Sequence, residues 1–307
     1  MATYEQNYDL VIAVDEGFNS GKIVINGLIF EIPTEMLKTD GESKYIGDRK
    51  GKNYIGVKIQ NTNYIVGSDA RILLTDNKTK QENVATFAER ESFDFLTSLK
   101  GERFLTTCIG IALIKYSEYC NEKNLTPKLD FSNAVTQEGK NARRLTINEG
   151  SQWNIWLIVG YPHEYVEKIT REMKPRIAGR KQLEIENNNK TYELDFLIKA
   201  TNIMSYSQAQ AAFMGCATDD QGNWLKAQKG DSPFSHLPCL VYDGGQKTAG
   251  IYEIDETKQI RHQESNTDFA MNNIYAAVVE EIKAQGRDDI YINNIHKITL
   301  YILCFYP

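Results

Sequence analysis

The sequence predicts an α/β protein of two domains. Strand-like apolar runs alternate with helix-like runs along the chain, the pattern of layered α/β folds. Two segments, at 9–33 and 238–254, each read as strand, tight turn and strand, with an Asp closing the first strand. The run WNIWLIVGYP at 153–162 is continuously apolar, as expected of a strand covered on both faces. A length of 307 residues accommodates two domains of ordinary size.

Residues 9–14 (DLVIAV) form a short strand that ends in the turn DEGFNSGK, and a second extended run follows, IVINGLIFEIP. The stretch 35–51 is polar and rich in Gly and Lys, and 52–68 is extended again, KNYIGVKIQ and YIVGSDA around the turn NTN. Across 101–123, Leu105, Cys108, Ile109, Ala112, Tyr116, Tyr119 and Cys120 recur at three- and four-residue steps, which predicts an amphipathic helix. Residues 125–151 are polar and read as irregular. The strand at 153–162 is followed by a helix at 163–176, and QLEIE and TYELDFLIK around NNNK predict a hairpin over 182–199. Residues 203–217 read as a strand turning into a helix, and PCLVYDGGQKTAGIYEI at 238–254 repeats the N-terminal form. A helix is predicted at 268–285, and the final run ITLYILCFY is strand-like. The expected division is a first domain over 1–200, with a small exposed subdomain at about 35–65, and a second over 201–307.

Composition narrows the function. Hydrophobic residues make up 41% and charged residues 25%, as in soluble globular proteins. A net charge of −6 suits direct coating of DNA poorly, because phosphate contacts need clustered Lys and Arg. Any link to DNA is therefore expected to pass through a partner. The N-terminus lacks the pattern of a signal peptide, and no apolar run approaches the ~20 residues of a membrane helix. The five cysteines are scattered and form no CxxC pair, which predicts reduced thiols in a cytoplasmic protein without membrane contact.

The chemistry lies in the two turns. Val14-Asp15-Glu16-Gly17-Phe18-Asn19-Ser20-Gly21-Lys22 and Tyr242-Asp243-Gly244-Gly245-Gln246-Lys247-Thr248-Ala249-Gly250 each place an Asp at a strand end before a turn of small residues. Glycines let backbone N–H groups approach phosphate oxygens. The carboxylates repel phosphate, so their natural task is to hold a hydrated Mg²⁺ that bridges the phosphates. Either loop alone reads as a plain β-turn. The pair points to a nucleotide clamped by its phosphate chain between two domains.

VIAVDEGFNSGK resembles the phosphate-1 loop of the actin, sugar kinase and heat-shock chaperone superfamily, and LVYDGGQKTAG resembles its phosphate-2 loop. YIVGSDA at 64–70 and LIVGYPHEYV at 157–166 resemble segments of plasmid-partition actins of the ParM and Alp type. The resemblance implies an actin-like, ribonuclease H-like two-domain fold. It implies that Asp15 and Asp243 flank Mg²⁺ through water with ATP, GTP being possible. Gly17, Asn19, Ser20 and Lys22 would line the first loop, and Gly244, Gly245, Gln246 and Thr248 the second. Gln208 falls where the family orients the attacking water, with Gln210 the alternative; a carboxamide suits positioning better than strong base catalysis.

The resemblance further implies a filament-forming ATPase that segregates plasmid DNA, with other copies of itself and a DNA-binding adaptor as partners. In that mechanism nucleotide closes the cleft, the closed form polymerises, and hydrolysis weakens the filament. Two alternatives stay open: a small-molecule kinase of the same superfamily, which needs an Asp base not evident in the central region, and a non-hydrolysing binding module. The chain departs from the family's pattern at Asn19-Ser20-Gly21 and at Gln246-Lys247, and after ITLY it runs ILCFYP. The second domain is therefore expected to lack the usual adenosine loop and to be shortened.

Overall fold

The computed structural model describes residues 8–16, 20–39, 55–70, 93–187, 190–217, 239–244, 249–257 and 259–266. The chain divides into two compact units, Met1–Tyr206 and Ser207–Pro307.

In the first unit β1 (Tyr8–Glu16) runs antiparallel to β2 (Ser20–Ile25), which turns at Asn26-Gly27 into β3 (Leu28–Pro33). Asn26 and Gly27 have φ of 44° and 87°, the left-handed pair that a two-residue hairpin turn needs. The extended run expected after the first turn is therefore two strands. β4 (Met36–Thr39), β5 (Ile55–Ile59) and β6 (Thr62–Val66) follow, with β5 and β6 joined at Gln60-Asn61. A short helix α1 (Phe93–Leu96) leads into α2 (Leu99–Lys123). Ser98 caps α2, its Oγ accepting from the Gly101 amide at 3.1 Å, and Asn124 ends it in the left-handed conformation.

Two strands lie where irregular chain was expected, β7 (Ser132–Val135) and β8 (Asn141–Ile147). In β8 the adjacent Arg143 and Arg144 are both exposed while Ala142, Leu145 and Ile147 are buried, so the strand lacks a regular two-residue alternation. Then come β9 (Trp153–Tyr161), α3 (Val166–Ile177), the hairpin β10 (Gly179–Asn187) and β11 (Lys190–Ile198), and β12 (Ile203–Ser207).

These strands build a five-stranded sheet in the order β12-β9-β1-β2-β3 and a seven-stranded sheet in the order β4-β6-β5-β10-β11-β8-β7. α2 lies between them. A Cβ on Gly110 would sit 2.9 Å from Ile185 and 3.0 Å from Leu183 of β10. On the other side a Cβ on Gly21 of β2 would sit 3.1 Å from the Phe104 ring and 3.3 Å from Cys108 Sγ. The helix expected to be amphipathic is thus buried on most of its circumference, because sheets flank it on two sides. Leu10, Ile12, Val14, Ile23, Leu157 and Val159 complete the core on the five-stranded side. β9 differs from its expectation: Trp153, Ile155, Leu157, Val159 and Tyr161 are buried, whereas Asn154, Trp156 and Ile158 between them are only half-buried.

The second unit contains α4 (Gln208–Ala217) and an antiparallel sheet of β13 (Cys239–Gly244), β14 (Ala249–Ile254) and β15 (Ile260–Asn266). The Tyr252 ring lies over Gly250, in the space a Cβ would need. Between β14 and β15 the Asp255 carboxylate accepts from the Thr257 and Gln259 amides at 2.8 and 2.9 Å and pairs with Arg261. These donors hold its pKa down to about 2. The helix expected at 268–285 and the run ITLYILCFY lie outside the described residues.

Candidate nucleotide-binding site

The first loop is held by three strands. Asp15, one residue from the end of β1, stands opposite Lys22 of the antiparallel β2 and beside Gly160 of the parallel β9. β1 and β9 therefore end together, and the carboxyl ends of parallel strands are where α/β sheets present ligand-binding groups. The Asp15 side chain is 36% exposed, and its Oδ2 lies 3.8 Å from Lys22 Nζ. Ser20 opens β2, and its hydroxyl donates to Glu31 Oε2 of β3 at 3.3 Å. Lys22 also stands opposite Glu31 in the β2–β3 register.

Gly21 gives this corner its direction. Its missing Cβ faces Phe104 and Cys108 of α2, so its neighbours Ser20 and Lys22 point to the other face of the sheet. Asp15, Ser20 and Lys22 are thus gathered at one end of the β1–β2 hairpin. Gly17 and Asn19 lie outside the described residues.

The second loop is flanked by strands as expected. Asp243 and Gly244 are the last two residues of β13, paired with Gly250 and Ala249 of β14. Gly245, Gln246 and Thr248 lie outside the described residues. Gln208 is the first residue of α4, half-buried, directly after β12. The backbone amide of Gln210 donates to the buried Ser207 hydroxyl at 3.4 Å, an N-cap interaction that fixes the first turn of this helix.

The other two motifs have structural placements. In YIVGSDA, Tyr64, Ile65 and Val66 are buried in β6, and Gly67 takes a φ of 85° and donates to the Glu35 carbonyl at 2.9 Å. In the second, Tyr161 is buried at the end of β9, before Pro162. Glu31 was not among the residues expected at the site. The signal that could have found it is the Asn26-Gly27 dipeptide, which folds β3 back onto β2.

The donor set bears on the metal. Among the described residues no three His, Cys, Asp or Glu side chains converge as a metal-binding group. A single partly exposed carboxylate at a strand end fits Mg²⁺, which keeps most of its waters and takes further ligands from phosphate.

No protein-family profile matches the sequence. No curated protein matches it either. Solved structures do match. The apo psk41 ParM protein superposes with a TM-score of 0.60 at 14% identity, covering 94% of this chain and 73% of its own. The actin-like protein Alp7A follows at 0.57 and 14%, covering 94% and 68%. The archaeal actin homolog Ta0583 gives 0.56 at 12%, covering 93% and 70%.

The chain has an actin-like fold. Its five-stranded sheet, with three antiparallel strands continued by the parallel β9, provides the ribonuclease H-like layer expected from the sequence. Within this actin-like chain, no helix of the described residues is long and apolar enough to cross a membrane.

Proposed function

We propose that this chain is an actin-like nucleoside triphosphatase that binds Mg-ATP or Mg-GTP at its two Asp-Gly loops, forms filaments, and serves plasmid DNA segregation through a DNA-binding adaptor. The observation that carries the reading is the corner of β1 and β2. It presents a partly exposed carboxylate, an ammonium and a hydroxyl on the sheet face turned away from α2. That set suits a magnesium-bound polyphosphate better than a neutral ligand.

Each residue has a definite task in this reading. The Lys22 ammonium and Ser20 hydroxyl bind and orient phosphate oxygens. Asp15 and Asp243 orient the metal's water shell, and they also repel a phosphate that arrives without metal. When bound, Mg²⁺ neutralises charge on the phosphate oxygens. Gln208 holds the attacking water in line, with its carbonyl accepting from the water. The cap at Ser207 keeps the first turn of α4, and so Gln208, in place.

Filament formation draws support from neighbours with the same fold. The Clostridium botulinum ParM, in a 15-stranded filament, has a TM-score of 0.51, and an Alp12 filament structure has the same value. The reading is tested by phosphate release from Mg-ATP and Mg-GTP with purified protein. Turnover that requires Mg²⁺ and is lost in Asp15→Ala supports it. Absence of both binding and turnover with either nucleotide refutes it.

A further inference from the structure

The end of the β1–β2–β3 meander carries a charged row that the loop motifs alone do not predict. Asp15 opposes Lys22, and Lys22 opposes Glu31. Directly opposed residues share a sheet face, with Cβ atoms ~4.5–5.5 Å apart. In the register Lys22 therefore stands between two acidic positions, and its Nζ lies 3.8 Å from Asp15 Oδ2. Glu31 also accepts the Ser20 hydroxyl proton at 3.3 Å. A hydroxyl has one proton to donate, so while it points at Glu31 it cannot donate to a phosphate oxygen.

We propose that Glu31 is a positioning residue that competes with nucleotide phosphate for Lys22 and for the Ser20 hydroxyl, and so weakens nucleotide binding and speeds nucleotide exchange. The inference rests on the nucleotide reading above. Asp15 has a use in that reading, since its charge organises the metal. Glu31 has no counterpart in the loop motif, and its charge opposes the incoming anion. Phosphate binding must turn the Ser20 proton away from Glu31 and draw Lys22 away from Asp15. Exposed pairs of this kind interact by a few tenths to about one kcal/mol, so removing the Glu31 charge shifts affinity by roughly 2- to 5-fold.

The test is calorimetric titration of Mg-ATP and Mg-GTP into the full chain, wild type and Glu31→Gln, each with and without Lys22→Met. Glu31→Gln keeps a carbonyl that can accept from Ser20 while removing the charge. It is expected to tighten binding roughly 2- to 5-fold, and Glu31→Ala, which also frees the hydroxyl, to tighten it further. In the Lys22→Met background the gain from Glu31→Gln is expected to fall by at least about half, a coupling that a merely structural role would not produce. Stopped-flow release of a fluorescent nucleotide should be slower in Glu31→Gln. Unchanged or weaker binding in Glu31→Gln, or an undiminished gain without Lys22, overturns the role of Glu31. Failure of the wild type to bind either nucleotide overturns the nucleotide reading and this inference together.

Discussion

Lys22 Nζ lies 3.8 Å from Asp15 Oδ2 across the β1–β2 register, and the lysine side chain is 68% exposed. An ion pair this exposed contributes about 0–1 kcal/mol to folding. Its place at the loop is better explained by binding than by stability. Lys22→Met should therefore leave the melting temperature within a few degrees of wild type, and weaken Mg-nucleotide binding by about tenfold or more, the range of one lost charge-assisted hydrogen bond. Thermal unfolding and calorimetric titration of the same preparation check both halves. A large loss of stability with unchanged affinity would reverse the assignment.

Gly21 and Phe104 provide a packing test. A Cβ at Gly21 would stand 3.1 Å from the ring and 3.3 Å from Cys108 Sγ, both fully buried. Gly21→Val should destabilise the chain by about 1–3 kcal/mol through overpacking between β2 and α2. Phe104→Leu should offset part of this loss when the two changes are combined, although alone it is destabilising. Urea denaturation of the two single variants and the double variant measures the coupling. Strict additivity would show that Gly21 does not depend on Phe104.

Gln208 and Gln210 are two residues apart at the start of α4, and Gln210 donates to the Ser207 cap through its backbone amide. Gln208→Ala should slow hydrolysis by roughly 10- to 1000-fold with a smaller effect on nucleotide binding. Gln210→Ala should retain most of the activity, because the cap uses its backbone. Single-turnover phosphate release distinguishes them. The opposite ranking would move the water-positioning role to Gln210.

Asp255 predicts an acid dependence. The amides of Thr257 and Gln259, with Arg261, hold its pKa at about 2, below the ordinary value of 3.8. A depressed folded-state pKa contributes stability that is fully present above pH ~4 and is lost as pH falls toward ~2. Asp255→Asn should remove that part of the pH dependence between pH ~4 and ~2, leaving a shallower loss of stability across this window. Parallel denaturant titrations at pH 5, 4, 3 and 2 follow it. Identical slopes for the two proteins would show that the β14–β15 turn does not contribute.

Much of the fold was legible because its strands are bounded by clear punctuation. The β10–β11 hairpin announces itself through alternation around an Asn-rich turn, and β9 through an apolar run stopped at Gly160-Tyr161-Pro162. β8 was hidden because Arg143 and Arg144 break the alternation. The strand ends of the candidate site were legible: an Asp closing an apolar run before small residues is local in sequence, and Asp15 and Asp243 do lie one residue from the ends of β1 and β13. Glu31 could not, because its place depends on pairing. It reaches Ser20, and stands opposite Lys22, only once the Asn26-Gly27 turn sets the β2–β3 register.

The account rests on nucleotide-driven assembly organised by the two strand-end aspartates, and right-angle light scattering of wild type beside Asp243→Ala tests it most directly. Wild type should scatter more on addition of Mg-ATP or Mg-GTP, remain at baseline with nucleotide plus chelator, and decline as phosphate is released. Asp243→Ala, with an unchanged circular dichroism spectrum, should stay at baseline and release no phosphate, because the carboxylate proposed to orient the metal's waters is gone. Scattering that is independent of nucleotide, or a folded Asp243→Ala protein that assembles and releases phosphate as wild type does, would contradict the account.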